Sequence, residues 1–325
     1  MIMVGESSGN LAETEAPEAS EPGDIGGILV VDKPEGITSA KAAAKVKKLL
    51  KPRKIGHTGT LDPFATGVLV LCLNEATRAA DQVLGLNKIY LSTFRFGVET
   101  DTLDRTGKVI QVSDSIISEK DLLETIDSFR GTCIQKAPRF SAVKVQGRRL
   151  YDLSRKGIEV DLPEREVCIH SIVLHSFEWP EAVIEVSCSK GTYIRQLASD
   201  MGRKLGTGAH VRELRRISVG PFHIDQALRL DDLQPVQAGK AGIVSGIIPL
   251  NEALSHLPSS LVDEEQMLKR LKNGQLDAEW ERREASRFDR HAGAVRIVTR
   301  SNRLAALWWP NAAEAGSRRL RVFPF

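Results

Sequence analysis

Residues 68–73 read VLVLCL, an unbroken apolar run that follows directly on the irregular stretch GHTGTLDPFATG at 56–67. A run so short and continuous is the pattern of a strand buried on both faces. The stretch before it carries three glycines, three threonines and an Asp-Pro pair, which is loop chemistry. The chain must therefore build a sheet core and deliver a loop to one end of it. Asp62 sits on that loop, and a reacting group is well served by a loop held on a rigid sheet.

The remaining pattern alternates strands with helices. GGILVVDKPEG at 26–36 is a second apolar run, ended by a Lys-Pro turn. A helix follows over AKAAAKVKKLL, capped by Thr38 or Ser39 and stopped by Pro52. Its charges have one sign: Lys41, Lys45, Lys47, Lys48 and Lys51, continued by Arg53 and Lys54. Surface helices ordinarily interleave acids, so this one is suited to phosphates. NKIYLSTFRFGV alternates and puts Tyr90, Phe94 and Phe96 on one face, with Ser92 between them. Taken alone, Tyr90 reads as a core tyrosine.

A further helix is expected from Asp121 to Arg130, closed by Gly131. A second basic cluster comprises Arg139, Lys144, Arg148, Arg149, Arg155 and Lys156, and a third Arg212, Arg215 and Arg216. AVIEVSCSKGTYIRQLASDMGRKLG reads as strand, turn and helix, with Gly191 at the turn, Thr192 as the cap and Gly206 at the end. Arg195 then falls in the first helical turn, where a cation opposes the helix dipole at a cost of roughly 0.3–1 kcal/mol. It calls for an anionic partner.

Composition divides the chain. Residues 1–24 hold six acids and no Lys or Arg in an Ala/Gly/Ser/Pro-rich background, the signature of a disordered acidic tail. With a net charge of +3 over the whole chain, the remainder is more basic still, which favours a nucleic-acid partner. The expected arrangement is an α/β domain with a mixed sheet over 25–240, a connection over 241–258, and a small β-rich domain over 259–325 built on AVRIVTR, RLAALWW and RLRVF. Four scattered cysteines without a C-x-x-C pair point to neither disulfides nor zinc. No run reaches the roughly 18 apolar residues of a membrane span. Cytoplasm is the expected location.

Several chemistries are excluded by spacing. No G-K-[ST] follows the glycines at 56–67, against a phosphate loop. His57 and Asp62 lie five residues apart with no second His or Cys nearby, a poor metal set. Asp62 has no motif-like carboxylate partner of the kind a glycosidase needs.

The run GHTGTLDPFATGVLVLCLNEATR resembles the signature of the TruB-type tRNA pseudouridine synthases. Four further segments recur in that family's order: GILVVDKPEGITS, KIYLSTFRFGVETDTLDRTG, PRFSAVKVQGRRLYDLSRKGIEV and CSKGTYIRQLASDMGRKLGTGAHVRELRR. The resemblance covers nearly all of residues 25–230, and is carried weakly beyond that by LKNGQ near 271–275. Small departures occur at Ala40-Lys41 and at Phe140-Ser141-Ala142.

The resemblance implies a pseudouridine-synthase fold with a C-terminal PUA-like domain, converting uridine 55 in the tRNA T-loop by base flipping. It implies Asp62 as the catalytic carboxylate, Tyr90 stacking on the base and placed to help remove the C5 proton, and Arg195 paired with Asp62, keeping it ionised. His57 matches the residue that enters the RNA loop at the vacated place, and Leu214 an apolar position lining the uracil pocket. Lys33, Gly59, Thr60 and Lys190 are the remaining expected substrate contacts, with the basic clusters on the phosphates. The partner is the T-stem-loop of tRNA, the chain acts as a monomer, and an isomerisation requires no cofactor. Two other readings stand beside this one: a guide-RNA-dependent synthase, and a tRNA-folding chaperone.

Overall fold

The computed structural model of the protein describes residues 26–141, 143–145, 147–150, 153, 158, 160–235, 246–288, 293–310 and 319–325. The acidic tail expected at 1–24, Arg155 and Lys156 of the second basic cluster, and part of the expected connection lie outside those residues.

The strands are β1 (Gly27–Lys33), β2 (Ile55–His57), β3 (Thr66–Leu73), β4 (Lys88–Phe96), β5 (Val98–Thr100), β6 (Val109–Val112), β7 (Gly131–Lys136), β8 (Lys144–Val145) and β9 (Arg148–Arg149). They continue with β10 (Glu164–Glu178), β11 (Glu181–Cys188), β12 (Ala209–Val219), β13 (Phe222–His223), β14 (Leu228–Arg229), β15 (Ile247–Ile248), β16 (Ser259–Val262), β17 (Val295–Thr299), β18 (Leu304–Trp308) and β19 (Leu320–Val322). The helices are α1 (Ser39–Leu50), α2 (Ala80–Leu84), α3 (Glu119–Asp127), α4 (Ile194–Lys204), α5 (Leu250–Ala253), α6 (Glu265–Lys272) and α7 (Ala278–Ala285).

One mixed sheet of eleven strands runs β14-β1-β3-β12-β4-β11-β10-β7, with β15 added to β1, β2 to β3 and β13 to β12. It has two halves. β1 and β3 pair antiparallel over seven residues, from Gly27–Leu73 to Lys33–Gly67, and the apolar runs of the sequence form this half. On the other side β12, β4, β11, β10 and β7 are joined antiparallel. The halves meet where β3 runs parallel to β12, with the registered pairs Thr66–Arg215 and Gly67–Arg216. The Arg216 carbonyl oxygen would lie 2.2 Å from a Cβ at position 67, whose φ is +102°. Glycine therefore sets how closely the halves approach.

Alternation in β4 buries Tyr90, Ser92, Phe94 and Phe96 on one face, as expected. The three aromatics join Ile184 and Val186 of β11 and Ile194, Leu197, Ala198 and Met201 of α4 in one apolar cluster. On the other half α1 lays Ala42, Ala43, Val46 and Leu50 against Leu29, Val31, Leu69 and Leu71. Thr38 is the α1 cap, its side chain accepting from the Lys41 N–H at 3.1 Å. α3 begins two residues earlier than expected because Ser118 and Asp121 form a capping box. At α4 the expectation fails. Tyr193 occupies the cap position with no side-chain cap, while Thr192 Oγ1 turns back to donate to the Ser189 carbonyl at 3.0 Å.

The described residues beyond 259 carry a separate four-stranded sheet, β16-β17-β18-β19. Its own core packs Trp280 and Met267 onto Val295, Ile297 and Trp308. The sheet is not free of the rest, since Ala294, Leu304, Leu307 and Phe323 share a cluster with Ile28, Val30, Val68 and Val70 of the large sheet. Arg321 also reaches Asp81 at 2.7 Å.

Gly67→Ala combines a positive φ with a Cβ that meets backbone rather than a movable side chain. It is expected to lower the unfolding free energy by about 2–4 kcal/mol, measured by urea denaturation. A variant within about 0.5 kcal/mol of the parent would show that the halves do not depend on this close approach.

Candidate active site

The loop 58–65 closes the gap between β2 and β3, and three neighbours hold it. Leu61 N–H donates to Ser39 Oγ at 2.8 Å, and Ser39 Oγ donates back to the Leu61 carbonyl at 3.2 Å. Gly36 N–H donates to the Pro63 carbonyl at 2.8 Å. Lys33 completes the brace. It is fully buried, and its Nζ donates to the carbonyls of Pro34 (2.8 Å), Ile37 (2.8 Å) and Pro63 (3.4 Å). With its donors committed to backbone oxygens, Lys33 ties the loop from behind and is not among the residues lining the cleft beside Asp62. Burial lowers its pKa from 10.5 to about 8.

Asp62 leaves this loop toward α4. Arg195 Nε lies 2.9 Å from Asp62 Oδ2, and Nη2 donates to Oδ1 at 3.3 Å, a two-point contact. Arg195 is 3% exposed and Asp62 34%, so the carboxylate opens into a cleft while the guanidinium is sealed behind it. The remaining Arg195 donors go to the carbonyls of Thr102 (2.7 Å) and Phe140 (2.9 Å), and Asp104 Oδ2 lies 3.4 Å from Nη1. The anionic partner that the helix dipole called for is thus a pair of carboxylates. Asp104, absent from the expected site, is fixed by Thr102 and Thr106, whose Oγ1 atoms donate to Oδ1 at 2.8 and 2.6 Å. The Thr-Asp density of TDTLDRTG was the signal available in sequence.

Enclosure of the Asp62 carboxyl raises its pKa above the ordinary aspartate value. Arg195 opposes that, the like charge of Asp104 adds to it, and Lys33 opposes it more weakly. Arg195, expected to keep the carboxylate ionised against its enclosure, is the largest influence lowering that pKa. Gln135 steadies the arrangement, accepting from Tyr193 N–H at 2.8 Å and donating to the Tyr193 carbonyl at 3.0 Å at the start of α4.

The cleft beside Asp62 has a volume of 680 Å³ and is lined in part by Gly59, Thr60, Asp62, Tyr90, Lys190, Arg195 and Leu214. Seven of the nine expected site residues thus meet in one place. Tyr90, 8% exposed, presents its ring from β4, and Leu214 joins the lining from β12 on the same face. Lys88, Arg165, Arg216 and Ser141 also line it and were not in the expected set. Lys88 Nζ donates to the Leu84 carbonyl at 2.8 Å, and burial with the nearby Arg216 charge lowers its pKa to about 8.

His57 stands apart from the cleft lining, at the end of β2 opposite Leu71. Its Nδ1 is buried with no hydrogen-bond partner among the described residues. The third basic cluster divides: Arg216 is buried, whereas Arg212 and Arg215 stay partly exposed and pair with Glu181 and with Asp32, the latter at 2.7 Å. The lysines of α1 remain exposed, with no acid in its first turn.

Comparison with known proteins places these residues in a wider set. The family model described as TruB family pseudouridylate synthase (N terminal domain) matches residues 47–194, and that described as tRNA pseudouridylate synthase B C-terminal domain matches 195–255. The chain is 54% identical over 298 residues to tRNA pseudouridine synthase B of Syntrophobacter fumaroxidans, covering 91% of this chain and 97% of that protein. With the protein of the same description from Clostridium kluyveri it shares 44% over 248 residues, covering 76% and 84%. A chain in a crystal structure of a Cbf5–Nop10–Gar1 complex superposes with a TM-score of 0.66 at 25% identity, covering 95% of this chain and 90% of that one.

Burial and the Arg216 charge both lower the His57 pKa from 6.5. The His57 imidazole is expected to titrate, by NMR, below the ordinary histidine value of 6.5, leaving it neutral at pH 7. A His57 midpoint at or above 6.5 would contradict the placement.

Proposed function

The chain belongs to the TruB family of pseudouridylate synthases, and on that premise we propose that it isomerises uridine 55 in the T-loop of tRNA to pseudouridine. The observation that carries the reading is a carboxylate held at 2.9 Å by a buried guanidinium, at the wall of a cleft lined also by a tyrosine ring. In the reaction the N1–C1′ bond breaks, the uracil turns over, C5 bonds to C1′, the C5 proton is lost and N1 gains one. No atom is gained or lost overall.

C1′ becomes electron-poor as the base departs, and Asp62 meets that charge. Arg195 orients the carboxylate and opposes the rise in its pKa, so that it is available as an anion in an enclosed site. Tyr90 offers an aromatic face to a base that must rotate while bound, and stacking tolerates rotation. Its hydroxyl is placed to assist removal of the C5 proton. Leu214 lines the uracil pocket, and Gly59, Thr60 and Lys190 contact the flipped nucleotide. His57 enters the RNA loop at the vacated place. The exposed lysines of α1 hold phosphates, so affinity should fall with salt.

Residues 25–240 form the catalytic unit and the sheet over 259–325 a PUA-like support for RNA. One chain supplies Asp62, Tyr90 and Arg195, so a monomer suffices. No helix among the described residues is long and apolar enough to cross a membrane, and we place the activity in the cytoplasm.

The direct test is incubation of the purified protein with unmodified tRNA, without guide RNA, followed by mapping of pseudouridine in the T-loop. Its absence under single-turnover conditions would falsify the assignment. Asp62→Asn is expected to remove product formation while leaving tRNA affinity within about tenfold, roughly 1.4 kcal/mol. Tyr90→Phe keeps the ring and its buried area. It is expected to bind tRNA normally while single turnover slows by about 10²–10⁴. Wild-type rates in the Phe variant would leave Tyr90 as a stacking surface only.

A further inference from the structure

Arg216 is a buried guanidinium that pairs with no carboxylate among the described residues. Arg195, Arg203, Arg212 and Arg215 each have one. A buried cation without a counter-charge is costly unless its donors are satisfied, and here two of them meet backbone oxygens. Nε donates to the Val68 carbonyl at 2.7 Å and Nη2 to the Gly59 carbonyl at 3.2 Å. The Tyr90 phenol is the nearby ionisable group on which the Arg216 charge acts most directly.

The backbone leaves this group little freedom. Arg216 and Tyr90 are directly opposite partners in the β12–β4 ladder, so their side chains share the cleft face. The Arg216 backbone is also pressed against Gly67 across the seam of the sheet. The two carbonyls hold the guanidinium at the cleft wall, on the strand position facing the one ionisable hydroxyl to which the reaction assigns a task.

We propose that Arg216 is a positioning residue for pseudouridine formation that acts through Tyr90, donating a hydrogen bond to the phenol oxygen and so fixing where the hydroxyl stands in the cleft. The proposal rests on the site being that of a pseudouridine synthase. It goes further in assigning a task to a cation that sequence grouped with phosphate contacts. Burial raises the Tyr90 pKa, and Arg216 is the largest influence opposing that rise. The same charge depresses the pKa values of Lys88 and His57, as expected of a cation lacking an acid to neutralise it.

The test is a double-mutant cycle read as single-turnover pseudouridine formation, with wild-type product as the control that the site is the one assigned. Arg216→Gln is expected to slow single turnover by about 10- to 100-fold, the size of one charge-assisted hydrogen bond, with tRNA Kd changed by less than about twofold. In the Tyr90→Phe background, where there is no hydroxyl to hold, the same substitution should cost less than about twofold. Arg216→Lys, which keeps a cation able to reach the phenol, should restore part of the rate when Tyr90 is present and change nothing in the Tyr90→Phe background. Equal losses in both backgrounds, or no loss with Tyr90 present, would overturn the proposal. Should Arg216→Gln fail to fold, the cycle run with Arg216→Lys decides by the same comparison.

Discussion

The site depends on a two-residue seam. β3 and β12 are in register only at Thr66–Arg215 and Gly67–Arg216, yet this pairing makes one sheet of two halves. The loop bearing Asp62 enters β3 at the seam, Arg216 leaves β12 at it, and Tyr90 stands opposite Arg216 on β4. A sheet is stiff along its hydrogen-bonded rows, so groups on neighbouring strands keep their spacing without long side chains to hold them. The bidentate bond from Arg215 to Asp32 of β1, at 2.7 and 3.1 Å, adds a second tie across the same line. An absent side chain at Gly67 thus governs the distance between the groups to which we assign the chemistry.

Ionic balance around Asp62 is the second constraint. A sealed guanidinium with a single carboxylate would bind it fully and leave little charge to offer a substrate. Arg195 divides its donors among Asp62, Asp104 and two carbonyls. Asp104 is locked by two threonine hydroxyls, whereas Asp62 keeps a third of its exposure. The pair therefore has one structural acid and one at the cleft, and enclosure, with the like charge of Asp104 adding to it, raises the pKa of the latter. Similar local wiring explains Lys33, whose charge is spread over carbonyls of both loops that it joins.

Legibility in the sequence followed the range of the interactions. Apolar runs at 28–31 and 68–73 and the alternation of 88–96 are local signals, and β1, β3 and β4 lie where those signals put them. Asp62 was marked by loop chemistry and Arg195 by its opposition to a helix dipole, both readable within a few residues. Asp104 and Gln135 were not marked, and Arg216 was marked only as a surface cation, because each depends on a partner 58 or more residues away, in Arg195, Tyr193 and Gly59. The burial of Lys33 was hidden for the same reason. A lysine beside a proline turn looks solvent-facing until the carbonyl of Pro63 is brought over it. The long strand β10 escaped notice because its apolar residues are diluted by charges on an open face.

The apolar cluster shared between the two sheets bears on how the molecule comes apart. Leu304, Leu307 and Phe323 lie among Ile28, Val30 and Val70, and Arg321 fastens to Asp81 at the same border. Separating the sheets would bare that surface on both at once, so neither can melt while the other keeps its full stability. Heat and denaturant should therefore meet a single cooperative unit made of both sheets, and damage to the distal sheet should be felt as lost stability at the cleft.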